Sequence, residues 1–261
     1  MKISIITVCF NSEATIRDTI ESVLAQDYPN IEYIIVDGAS NDGTMDIVRE
    51  YEKRIDTIIS EPDKGIYDGM NKGIRAATGD VVGLLNSDDF YTDETSVRQL
   101  VECMEAAGAD TVFADLVIVD PGDTSRVVRY YDSSTFHPAR LRYGWMPAHP
   151  TFMVKRALYE QHGDFSLNYH IAADYEMVAR LLYAAKASYS YLPAVVIKMR
   201  AGGASTSGLK SSWVLNNEIV RACRANGITT NLPLVLLKIP AKLVGYIRKP
   251  KRVKTVAGGI G

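Results

Sequence analysis

Through its first 120 residues the chain alternates short apolar, β-rich runs with stretches of helical spacing, and this alternation restricts the fold more than any other feature. Strands flanked in this way are buried on both faces, which requires helices on both sides of a parallel sheet built from βαβ units. Strands are predicted over residues 3–8, 31–36, 57–60, 81–85 and 111–119, with helices over 16–24, 45–52, 67–77 and 96–106. Beyond residue 120 the pattern loosens. A strand is expected at 127–131, an aperiodic stretch at 133–150, a strand at 151–154, helices at 156–162 and 175–185, and a Gly- and Ser-rich loop at 202–208. The fold class is therefore α/β, and the chain divides into residues 1–120, residues 121–230 and a tail, 231–261.

In an open parallel sheet the ligand crevice lies beyond the carboxyl ends of the strands, so the residues that follow each strand carry the functional information. Here they are Phe10-Asn11 after the first strand, Asp37-Gly38 after the second, Glu61-Pro62-Asp63-Lys64-Gly65 after the third and Asn86-Ser87-Asp88-Asp89 after the fourth. Asp37 occupies the place where α/β nucleotide binders put the acid that hydrogen-bonds a ribose or base. The phosphate half of a dinucleotide fingerprint is missing, because the first turn, Cys9-Phe10-Asn11-Ser12-Glu13, has no glycine and no GxxxxGK[ST] occurs anywhere. Another group must then neutralise a diphosphate. Asp88-Asp89 is suited to a hard divalent cation, Mg²⁺ or Mn²⁺, which takes oxygen donors and bridges phosphates. Zinc hydrolysis is disfavoured, since His137, His149, His162 and His170 form no HExxH pair. His149, between two prolines in the aperiodic stretch, is the one histidine with a site-like setting.

These blocks, taken together and in order, resemble the family 2, GT-A fold inverting glycosyltransferases, in particular those of bacterial exopolysaccharide, capsule and O-antigen assembly. The resemblance spans roughly residues 1–206 and rests on Ser4-Ile-Ile-Thr7-Val-Cys-Phe-Asn11, Val36-Asp37-Gly38-Ala-Ser40-Asn-Asp42-Gly43-Thr44, the segment from Glu61 to Gly73, Gly79-Asp80, Asn86-Ser-Asp88-Asp89, His149-Pro-Thr151-Phe and Ile171-Ala-Ala-Asp174-Tyr175-Glu176. It implies a GT-A fold with a Rossmann-like, mostly parallel central sheet, a nucleotide-sugar-binding half in residues 1–120 and an acceptor-binding, catalytic-base half in 121–230. It also implies that Thr7, Asn11 and Asp37 contact the nucleoside, Asp37 through the base of a uridine nucleotide, and that Asp63 and Lys64 line the floor near the ribose and phosphates. Asp88 and Asp89 match a DxD-like motif, with Asp89 the direct metal ligand and Asn86 in place of the motif's first acid. Asp174 matches the catalytic base, although its usual acidic neighbour is Ala173. Ser205 and Thr206 fall in a loop that resembles one closing over the donor, and His149 is a candidate on the acceptor side.

Bottom-up chemistry agrees. Inversion at an anomeric carbon requires a carboxylate to take the acceptor hydroxyl's proton on one face and stabilisation of the departing diphosphate on the other. Two rivals share the acidic crevice: a sugar-1-phosphate nucleotidyltransferase, whose Gly- and basic-rich first loop is absent here, and a non-catalytic sugar-nucleotide-binding subunit.

Charge bears on partners and location. The 29 Lys plus Arg and 31 Asp plus Glu nearly cancel, but residues 231–261 hold seven bases and no acid, leaving 22 bases against 31 acids in the body. An acidic body does not wrap nucleic acid. In the tail, a helix over 236–249 would set Leu236, Ile239, Leu243 and Ile247 opposite Lys238, Lys242 and Lys249, with Pro240 interrupting or starting it. That composition suits either an interfacial helix on an anionic membrane or a helix packed on the body with a basic end. Membrane contact would fit a polyprenyl-diphosphate-linked saccharide acceptor, which the resembled family often uses. Cys9, Cys103 and Cys223 are odd in number and scattered, there is no signal-like start and no run near 20 apolar residues, so a cytoplasmic protein, peripheral on the inner membrane, is expected.

Overall fold

The computed structural model describes residues 1–202 and 209–239. Among the described residues nine strands form one sheet: β1 (Ile3–Cys9), β2 (Ile31–Asp37), β3 (Thr57–Ser60), β4 (Val81–Asn86), β5 (Asp89–Tyr91), β6 (Thr111–Val119), β7 (Val127–Tyr131), β8 (Met153–Lys155) and β9 (Tyr189–Arg200). Their order is β3-β2-β1-β4-β8-β6-β9-β5, with β7 beside β6. The expected parallel half is present, as β3, β2, β1 and β4 run parallel in consecutive pairings. Beyond β4 the sheet becomes mixed. β8 runs antiparallel to both β4 and β6, β7 to β6 and β5 to β9, and only β6 with β9 restores a parallel pair.

Alternation along the strands distributes the core to the two faces. Ile3 and Ile5 of β1, Tyr33 and Ile35 of β2 pack with α1 (Ile16–Leu24) and α4 (Ser96–Ala107) through Ile16, Ile20, Val97, Leu100 and Met104. Ile6, Val8, Ile34 and Val36 pack on the other face against Met70 and Ile74 of α3 (Ile66–Ala76) and the buried residues of α6 (Ala173–Val178). Every residue of β1 is buried, as a central strand covered on both faces demands. The remaining helices are α2 (Thr44–Glu50), α5 (Arg156–His162), α7 (Leu209–Ala225) and α8 (Leu232–Leu236). The predicted 175–185 helix is α6 followed by a π-helical stretch, Ala179–Ala184.

Three elements depart from the sequence expectations for definable reasons. β9 was hidden by Pro193: its register against β6 steps from Ala114↔Leu192 to Asp115↔Val195, so the proline sits in a bulge where no ladder donor is needed. α7 carries buried Asn216 and Glu218 on its inner side, which erases the apolar stripe that marks a helix. The tail helix begins earlier than expected. Asn231 caps α8 by accepting from the Leu234 amide at 3.0 Å, and Val235 is fully buried in the core. Lys238, expected on a solvent face, is only 3% exposed and lies against Gly144, while Leu236, Leu237 and Ile239 face outward. The described start of the tail thus docks on the body. Residues 240–261, with the rest of the predicted amphipathic helix, lie outside the described residues, as do Ser205 and Thr206. Among the described residues no helix is long and apolar enough to cross a membrane.

Candidate active site

The carboxyl ends of β1, β2 and β3 are clamped together from below. Asp37 is fully buried, and its carboxylate accepts from the Ser40 hydroxyl at 2.5 Å, the Ser40 amide at 3.2 Å and the Ser60 hydroxyl at 2.7 Å, with the Cys9 thiol at 3.8 Å. Burial and this carboxylate raise the pKa of Cys9, which stays a thiol. Thr7 is equally buried and pairs with the Tyr33 hydroxyl at 3.1 Å. Thr7 and Asp37, two of the three residues expected to touch the nucleoside, are thus fully buried with their polar atoms engaged. Asn11, in the left-handed region at φ 49°, reaches the surface and ties two loops, donating to Ser40 Oγ at 2.8 Å and accepting from the Asn41 amide at 3.0 Å. Lys64 is exposed, and Asp63 is half-buried in the β3–α3 loop beside Gly38, its Oδ1 accepting from the Gly65 amide at 2.8 Å.

At the end of β4 the chain turns through Ser87 and Asp88 into β5, whose first residue is Asp89. Several groups hold this turn. The Thr19 hydroxyl contacts the Ser87 and Asp89 carbonyls at 2.9 and 2.8 Å, and Arg200 donates to the Asp88 carbonyl at 2.8 Å while pairing with Asp18. Asp89 has no exposed surface; Asn86 donates to its Oδ2 at 3.2 Å, and its Oδ1 has no hydrogen-bond partner. Burial and the adjacent Asp88 push the Asp89 pKa well up, and burial raises Asp88 too. An orphaned carboxylate oxygen beside a second carboxyl whose pKa burial raises is the arrangement that a divalent cation relieves, so these residues fit the implied Mg²⁺ or Mn²⁺. Among the described residues no three His, Cys, Asp or Glu side chains assemble into a metal cage. Two carboxylates suit an ion whose shell is completed by substrate phosphates and water. Asn86, the departure from the acidic motif, orients Asp89.

The third group lies at the start of α6. Asp174 Oδ1 accepts from the Tyr175 amide at 2.7 Å and lies 3.5 Å from the Tyr67 hydroxyl, which donates to the Ile171 carbonyl at 2.6 Å. Burial raises the Asp174 pKa against the opposing field of His149 and these donors. His149 begins the short turn His149–Thr151, which packs on β4, and burial lowers its pKa so that the imidazole is neutral. Phe165 joins the two sides: its ring stacks on Tyr67 at 5.7 Å and meets His149 edge-on at 5.8 Å, while Asn71 grips the Phe165 backbone with both side-chain atoms, at 2.9 and 2.8 Å. Buried Glu218 of α7 accepts from three successive amides, His170, Ile171 and Ala172, at 2.8, 2.9 and 3.0 Å. That grip sets the turn that delivers Asp174. Sequence reasoning gave no role to Tyr67, Asn71, Phe165 or Glu218. Tyr67 and Asn71 lay in a recognised block, whereas Glu218 had no sequence signal at all.

A parallel half-sheet ending in a paired acid, with a further carboxyl delivered from a following helix, is the GT-A architecture. TarS of S. aureus, residues 1–349 in complex with UDP-GlcNAc, superposes with a TM-score of 0.65 over 88% of this chain and 68% of that one at 18% identity. The mannosyltransferase PcManGT of Pyrobaculum calidifontis, in complex with GDP-Man and Mn²⁺, does so with 0.60 over 95% and 81%, also at 18%. Residues 4–165 match the family described as Glycosyl transferase family 2, and the chain belongs to that family. Among its relatives are the putative teichuronic acid biosynthesis glycosyltransferase TuaG of Bacillus subtilis, 40% identical over 110 residues, and a PGL/p-HBAD biosynthesis glycosyltransferase of Mycobacterium tuberculosis, 25% identical over 245 residues. The first match spans 41% of this chain and 44% of the relative, the second 92% and 91%.

Proposed function

We propose that the protein is an inverting glycosyltransferase that moves a sugar from a nucleoside-diphosphate donor, a UDP-sugar, to a lipid-linked saccharide in bacterial cell-surface polysaccharide synthesis. The observation that carries this reading is the pairing of an orphaned, buried Asp89 at the sheet edge with a separate carboxyl, Asp174, whose pKa burial raises. A base whose pKa is raised by burial and a diphosphate anchor are the two groups that single displacement needs. The relatives' roles in teichuronic acid and PGL/p-HBAD biosynthesis support the polysaccharide or glycolipid setting.

In this mechanism Asp174 takes the proton from the acceptor hydroxyl. The oxygen attacks the anomeric carbon from the face opposite the diphosphate, the new C–O bond forms, and the bond from the sugar to the diphosphate oxygen breaks. Asp88 and Asp89 would hold the divalent ion, which neutralises charge developing on the leaving diphosphate. Tyr67 and Glu218 fix the turn carrying Asp174, and neutral His149 shields its flank without competing for the proton. Asp37 fixes the three strand ends on which the nucleoside rests. The outward-facing Leu236, Leu237 and Ile239 support contact with a membrane surface at the start of the basic tail.

The test is to incubate the protein with UDP-sugars and Mn²⁺, with and without a polyprenyl-diphosphate saccharide, and follow UDP release. Acceptor-dependent release of UDP is expected. Pyrophosphate formed from UTP would instead indicate a nucleotidyltransferase, and binding without turnover a non-catalytic subunit.

A further inference from the structure

The carboxylate of Asp63 occupies a slot that only glycines leave open. A Cβ placed on Gly38 would come within 2.6 Å of Asp63 Oδ2, and one on Gly69 within 3.3 Å of the same atom. Gly38 follows β2 directly and Gly69 lies in the first turns of α3, so Asp63 projects beside both, and Gly69 in turn adjoins Val8 near the carboxyl end of β1. The same Gly38 position adjoins the ring of Phe10, whose Cδ2 is 3.4 Å from it and which is 62% exposed. Asp63 uses one oxygen internally: Oδ1 accepts from the Gly65 amide at 2.8 Å. Among the described residues Oδ2 has no hydrogen-bond donor. Asp37, one residue before Gly38, has its carboxylate consumed by Ser40 and Ser60.

We infer that Asp63, rather than Asp37, reads the donor's nucleobase, accepting with Oδ2 from the imide N–H of uracil or guanine beside the exposed Phe10 ring. The inference rests on the nucleotide-sugar reading of the site. The chemistry is selective because uracil N3 and guanine N1 carry a hydrogen, whereas the corresponding ring nitrogens of cytosine and adenine carry a lone pair. A carboxylate oxygen attracts the first pair and repels the second. A charge-assisted hydrogen bond of this kind corresponds to about 10- to 100-fold in affinity.

The Gly65 amide makes the prediction sharper. In Asp63→Asn the side-chain oxygen stays with the Gly65 N–H, since turning the amide would set two donors against each other, so the new NH₂ faces the base. An acceptor becomes a donor, matched to cytosine rather than uracil. Binding of UDP, GDP, CDP and ADP, each with Mn²⁺, is measured by calorimetry on the wild type, Asp63→Asn and Gly38→Ala, with melting curves to confirm folding. The wild type should bind UDP or GDP at least about tenfold more tightly than CDP or ADP. Asp63→Asn should lose that margin or reverse it toward CDP, and Gly38→Ala, which displaces the carboxylate, should weaken UDP or GDP and spare CDP. Discrimination unchanged in Asp63→Asn overturns the inference and leaves the donor site standing, as does an equal loss for all four nucleotides. A wild type that binds none of them overturns the donor reading and the inference together.

Discussion

At the amino-terminal ends of β1, β2 and β4, Glu32 is buried and accepts from Lys2 Nζ at 2.7 Å, the Ser4 hydroxyl at 2.5 Å, and both the amide (2.8 Å) and hydroxyl of Thr78. Burial would raise its pKa, but these donors bring it down to about 2. Beyond the carboxyl ends of the same sheet, Asp88 and Asp89 stand together with one oxygen orphaned, and they and Asp174 are all pushed upward by burial. One end satisfies its acid completely and gains stability. The other leaves an oxygen of Asp89 without a partner and holds Asp88, Asp89 and Asp174 at raised pKa, which costs stability and is the mark of a functional site.

The sharpest separation of the two ends is Asp174→Asn. Turnover should fall about 10²- to 10⁴-fold, because the lost base acts only in the displacement. The melting temperature should hold or rise, since a neutral isostere removes a buried group that resists ionisation. UDP release and thermal melts on one sample read both. Glu32→Gln is the mirror experiment: about 3 kcal/mol of stability should go, measured by urea unfolding, while turnover per folded molecule stays at the wild-type level. A loss of turnover there would merge the two ends and break the comparison.

Saturating Mn²⁺ with UDP should stabilise the wild type by about 2.7 kcal/mol at a hundredfold excess over the dissociation constant. Asp89→Asn should abolish most of that gain and leave the protein without ligand as stable as before, as differential scanning calorimetry would show. The smallest effect is expected from Tyr67→Phe, which removes the bond to Ile171 that steadies the Asp174 turn. About 1 kcal/mol, or roughly fivefold in kcat, is expected, with KM for the donor unchanged in steady-state kinetics.

The centre of the half-sheet, β2, β1 and β4, was legible because its strands are buried on both faces and therefore read as nearly continuous apolar runs. β9 and α7 were not, because a bulged proline and the inward polar residues Asn216 and Glu218 serve tertiary needs that local patterns do not encode. The acids of the crevice could be found from their places after strands. Which of them keep a free oxygen could not, since the same placement after a strand fits Asp37, whose carboxylate is taken up by Ser40 and Ser60, and Asp63, whose Oδ2 lies between two glycines.

The central claim is that function and stability titrate on different carboxylates, and one paired pH series tests it most directly. Glu32, depressed in the fold, contributes stability that is complete above its unfolded pKa of about 4.3 and is lost as pH falls toward 2. Asp174, raised in the fold, would have to shed its proton to serve as the proposed base, so turnover should fall at a higher pH while the protein remains folded. Turnover and melting temperature recorded on the same preparation from pH 3 to 8 should give an acid limb of activity well above the acid limb of stability. Two limbs that coincide would contradict the account.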